Sequence, residues 1–107
     1  MTAPQTGSTH GAAVVLDIGG DIGAVVLHAP DWLAGEEIEI SPKDGNATRA
    51  RPTHTAVRVR RTRSGTRFAA VFPAVEAGEY DLRCPRHPSM TSPTVTVVGG
   101  QVTETHW

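Results

Sequence analysis

Apolar residues in this chain recur at every second position, in short runs closed by turn residues. Val14, Leu16 and Ile18 share one face of a predicted strand from Ala13 to Ile18, and Gly19, Gly20 and Asp21 form a tight turn after it. A second strand follows from Ile22 to His28, stopped by Ala29, Pro30 and Asp31. Asp31 to Gly35 suits one helical turn capped by Asp31, with Trp32 and Leu33 plugging an end of the core. Glu37 to Ser41 alternates cleanly, with Ile38 and Ile40 inward, and a polar loop runs on from Pro42 to Thr53. Thr55, Val57 and Val59 then alternate with Ala56, Arg58 and Arg60 in the first arm of a hairpin. Arg63, Ser64 and Gly65 turn it, and Phe68, Ala70 and Phe72 face in on the return. Pro73 to Gly78 reads as another turn, and Glu79 to Cys84 as a strand with Tyr80, Leu82 and Cys84 inward. After a Pro-rich loop, Pro85 to Pro93, a last hairpin joins Pro93–Val98 to Gln101–Trp107 through Gly99 and Gly100.

No segment keeps a helical period over three turns, so the pattern predicts an all-β protein. It is a single antiparallel β-sandwich of seven or eight strands. Composition agrees: the 11 Gly and 8 Pro in 107 residues demand frequent turns. Residues 1–11 read as a flexible tail and residues 12–107 as one domain. The net charge of −1 gives no global pull toward nucleic acid or an anionic membrane. No run approaches the roughly 20 apolar residues of a membrane span, and no leader is evident, so the expected location is cytoplasmic. One cysteine excludes an internal disulfide.

That cysteine belongs to the one sharp chemical pattern. Cys84, His87 and Met90 are spaced C-x2-H-x2-M on one loop stiffened by Pro85, Pro88 and Pro93. Thiolate, imidazole and thioether form a soft donor set that favours copper, and ligands on a short loop converge at small entropic cost. The competing reading is structural: a small buried thiol, a solvated imidazole and a Met covering the core.

The run EAGEYDLRCPRHPSM, residues 76–90, resembles the copper loop of cupredoxins of the amicyanin type. The likeness rests on Ala77-Gly78, Tyr80-Asp81, Cys84, His87, Pro88 and Met90. It implies a cupredoxin-like fold, with a prealbumin-like sandwich the other option, and a mononuclear copper protein for electron transfer or copper handling. It also implies Cys84 as thiolate ligand, His87 as imidazole ligand, Met90 as weak axial ligand and an upstream second histidine, for which His54 is next in chain order. Strand counting points elsewhere. Strands that alternate in direction put His54 and Cys84 at opposite ends, about 20 Å apart for six residues. The same counting brings His28 and His106 to the Cys84 end, with the inward parity of Val26 and Val102. His106, His28 and His54 therefore all stand as candidates for the fourth ligand.

The phrases LDIGGDIGAVVLHAP, EIEISP, THTAVRVRR, AVFPAVEAGEY and GGQVTETHW resemble a group of short uncharacterised actinobacterial proteins, some labelled phospholipases. The residues offer no support for such an activity. There is no G-x-S-x-G elbow and no H-E-x-x-H pair, and no serine has a nearby His–acid pair. The expectation is a protein that is not an enzyme, the alternative to copper binding being a metal-free accessory module.

Arg49, Arg51, Arg58, Arg60, Arg61, Arg63 and Arg67 crowd one hairpin and its approach. The simpler reading is a solvated face whose charges discourage edge pairing. The functional one is a patch for a redox or acidic protein partner. Without interleaved aromatics it is poorly suited to nucleic acid. Glu36, Glu37 and Glu39 would balance it within the molecule or across a homo-oligomer, and Trp107 would suit packing into a second copy.

Overall fold

The computed structural model describes residues 16, 18–43 and 53–107. Among them are eight strands: β1 Ile22–His28, β2 Glu37–Pro42, β3 Thr53–Ala56, β4 Arg58–Thr62, β5 Gly65–Glu76, β6 Gly78–Arg83, β7 Thr94–Val97 and β8 Val102–His106. They form two four-stranded sheets, ordered β4-β5-β1-β8 (sheet A) and β3-β2-β6-β7 (sheet B). The only helical element among the described residues is a single 3-10 turn, Asp31–Leu33. Among the described residues no helix is long and apolar enough to cross a membrane. The predicted tail and most of the strand predicted over Ala13 to Ile18 lie outside the described residues. Leu16 and Ile18 belong to no strand.

Both sheets contribute to one core, as a two-layer β architecture requires. Sheet A supplies Val25, Leu27, Ala70 and Phe72; sheet B supplies Ile38, Ile40, Tyr80, Leu82, Val95 and Val97. β2, β6 and β7 keep the strict alternation of strands with one wet face. The Tyr80 hydroxyl donates to the Glu76 carbonyl at 2.7 Å and pins the turn between β5 and β6.

Five expectations need correction. The arm read as Thr55 to Arg60 is broken at Val57: β3 pairs with β2 in sheet B, and β4 pairs with β5 in sheet A. Val57 sits at the crossing, buried in the core, while Val59 beyond it is 45% exposed. The turn read at Pro73 is strand, because β5 continues to Glu76. Between the pairs Gly23↔Val75 and Val25↔Phe72, β5 carries one residue more than β1. This bulge spares Pro73 a ladder hydrogen bond and turns Val75 inward.

The last hairpin is a crossover. Gly99 and Gly100 do turn the chain, but β7 pairs with β6 in sheet B and β8 pairs with β1 in sheet A. The β1–β8 pair is parallel, so sheet A is mixed rather than purely antiparallel. Finally, Leu33 plugs the core as expected, but Trp32 is 58% exposed.

Strand lengths are unequal, and this matters for the site. β5 is twelve residues long. From Ala69 onward it pairs with β1, whereas Gly65 to Phe68 pair with β4 alone. The β4–β5 hairpin therefore overhangs the end of β1 as a two-stranded ribbon.

Candidate metal centre

The C-x2-H-x2-M spacing has a simple backbone cause. The His87 amide donates to the Cys84 carbonyl at 2.9 Å, and the Met90 amide donates to the His87 carbonyl at 3.0 Å. Two β-turns thus share His87, with Pro85 and Pro88 at the second position of each. Among the described residues only glycines have positive φ and no peptide bond is cis, so both turns are type I, where proline is favoured at that position. The turns stack Cys84, His87 and Met90 on one pocket of 220 Å³.

Cys84 follows β6 and continues its inward parity, which buries it to 2% exposure among core residues. Met90 is half-buried against the same core. His87 lies at the rim with its side chain 38% exposed, edge-on to Trp32 with ring centroids 5.5 Å apart.

A donor that sequence reasoning did not single out completes the group. One carboxylate oxygen of Glu36, one imidazole nitrogen of His87 and Cys84 Sγ lie within 4.8 Å of one another. Glu36 is fixed by its backbone: its amide donates to the Leu33 carbonyl at 3.0 Å and its carbonyl accepts from Val57 at 2.9 Å. Its carboxylate lies 3.9 Å from His87 Nε2 and 3.7 Å from Arg86 Nε. The E-E-I-E run could have flagged Glu36 only as an odd-register acid at the mouth of a strand. Its convergence with Cys84 depends on the pairing of β2 with β6, which the sequence does not state.

The three other histidines take different places. Glu39 faces His54 on one side and Arg83 on the other, so His54 and Cys84 lie at nearly the same level of sheet B, not at opposite ends. Counting directions took no account of offset: β3 overlaps only the last residues of β6, and β4 carries the run on beyond them. Two strand spacings of about 4.8 Å separate them laterally. The predicted solvent-facing parity of His54 holds, and its Nδ1 lies 3.2 Å from a Glu37 carboxylate oxygen. His28 and His106 do end β1 and β8 at the Cys84 end, but they face outward. Val25 and Leu27 are the core positions of β1, and Val102 is 41% exposed. The two imidazoles stack on each other at 4.8 Å, and His28 Nε2 bonds Glu104 at 2.7 Å. None of the three converges on Cys84.

The donors fit a single d-block ion chemically. Tetrahedral coordination at about 2.0–2.3 Å places ligand atoms about 3.3–3.8 Å apart, close to the observed His87–Glu36 separation. Thiolate, imidazole, carboxylate and thioether together span soft to hard. No family model, curated protein or solved structure matches the chain.

Proposed function

We propose that the protein binds one copper ion, for electron transfer or copper handling, through Cys84, His87 and Met90, with Glu36 as the fourth donor. The observation that carries this reading is the convergence of Glu36, Cys84 and His87 within 4.8 Å, beside a pocket that Met90 also lines. Copper would supply the redox chemistry. The chain supplies a donor set fixed by two proline turns and shielded on its sulfur side by the core. In this reading Glu36 takes the place of the second imidazole that the cupredoxin resemblance implies, and the sandwich is cupredoxin-like rather than prealbumin-like. A four-donor site leaves no open position for a substrate, in keeping with a carrier rather than an enzyme.

A second reading has its own support. His87 and Arg86 already flank the Glu36 carboxylate, and Cys84 already fills core volume. That would suit a metal-free accessory module. Adding one equivalent of Cu(II) to the metal-free protein separates the two. A copper site produces an intense visible thiolate-to-copper band that Cys84→Ser abolishes. Absence of that band, together with no retention of Cu(I) under reducing conditions, leaves the metal-free module.

A further inference from the structure

A second cavity, of 610 Å³, shares no lining residue with the Cys84 pocket. Its size falls within the roughly 300–1,000 Å³ of small-molecule sites. Two backbone bonds build its walls. The Ala29 amide donates to the Phe68 carbonyl at 2.9 Å, tying the base of the β4–β5 overhang to the end of β1. The Trp107 amide donates to the His28 carbonyl at 2.9 Å, tying the residue after β8 to the same point. Phe68 and Trp107, both half-buried against the core, thereby become lining rings. His28, His106 and Arg67 give it a polar side, with His28 Nε2 shared with the Glu104 carboxylate at 2.7 Å.

The register explains why Arg67 lines the cavity with two further arginines beside it. Arg58, Ala69, His28 and His106 form one row across all four strands of sheet A, and Arg60 and Arg67 face each other in the next row but one. Pleat alternation puts both rows on the outer face. Burial, and then the Arg58 charge, pull the Arg60 guanidinium below its ordinary value. Among the described residues no carboxylate pairs with Arg58 or Arg67, and the side-chain bond found for Arg67 is a long 3.4 Å contact to Ser64. Glu104, the acid on this face of β8, bonds His28 and does not line the cavity.

We propose that this cavity binds a small organic phosphate carrying an aromatic ring, of which a mononucleotide is the simplest example. The phosphate would meet Arg67 and the imidazole pair, since a guanidinium fork matches phosphate oxygens. The ring would pack on Phe68 and Trp107. The inference stands independently of the copper reading.

Titration of the full chain with adenosine monophosphate, followed by amide NMR, tests it. Saturable shifts are expected at Ala29, Phe68, His106 and Trp107. Adenosine and inorganic phosphate should each bind about tenfold more weakly or worse, and Arg67→Gln should cost about tenfold in affinity for the nucleotide. Arg67 is exposed, so the variant's unbound spectrum should match the parent and report an intact fold. Absence of saturable shifts, or unchanged affinity in Arg67→Gln, overturns the site. Adenosine binding as tightly as the nucleotide overturns the phosphate contact, and inorganic phosphate doing so overturns the ring contact.

Discussion

Glu36 is the residue on which the chemistry of the proposed centre turns. A carboxylate among softer donors favours the more highly charged ion, because a full negative charge interacts more strongly with Cu(II) than with Cu(I). Glu36→Gln should therefore keep the thiolate band and raise the reduction potential, as voltammetry of the loaded variant would read. A potential unchanged from the parent would remove Glu36 from the ligand set. Cys84→Ala offers a control for folding, since trimming one buried sulfur should cost only about 1–2 kcal/mol in urea titrations. The residue scale also marks how far the sequence could be read. Cys84, His87 and Met90 were legible because their spacing is local, two proline turns in series. Glu36 and the orientations of His28, His54 and His106 were not, because they depend on which strands pair and on which face each side chain then emerges.

Among the elements, those with strict alternation read directly: β2, β6 and β7 match their predicted strands to within a residue or two. Reading failed where a strand changes sheets at Val57 and where a bulge admits Pro73, because neither event breaks the alternation enough to show. Two glycines hold elements that a pattern of apolar residues does not reveal. A Cβ on Gly23 would meet the Val98 carbonyl oxygen and lie 2.9 Å from that of Gln101, and one on Gly99 would meet the Gly20 carbonyl oxygen. These are the points where β1 and its preceding turn pass under the β7–β8 crossover. Gly23→Ala and Gly99→Ala should each cost about 1–3 kcal/mol, read as a lowered urea midpoint. The β4–β5 overhang behaves differently. A two-stranded ribbon with no third strand beside it is marginal by itself. Amide exchange at residues 59–67 should be much faster than at residues 70–75 of the same strand pair system. Equal protection would mean that something covers the ribbon.

At the scale of the molecule, one core joins both sheets, so loss of packing in either should unfold both together. Phe72→Ala should cost about 3–5 kcal/mol, a large part of the roughly 5–15 kcal/mol that holds a small domain folded. A single transition at a lower urea concentration is the expected outcome, and two separated transitions would mean that the sheets fold independently. The two-sheet, all-β plan was legible because period-two patterning pervades the chain. The topology was not, since a turn at Gly99 and Gly100 is the same in sequence whether the next strand returns to its neighbour or crosses to the other sheet. The parallel seam between β1 and β8 also bears on how the protein is made. At about 5–20 residues per second, a ribosome needs roughly 4–15 s to travel from His28 to Val102. For that interval β1 has been synthesised and the strand that covers its second edge has not, so the newborn chain carries an open seam of backbone amides that only the arrival of Val102 to His106 can close.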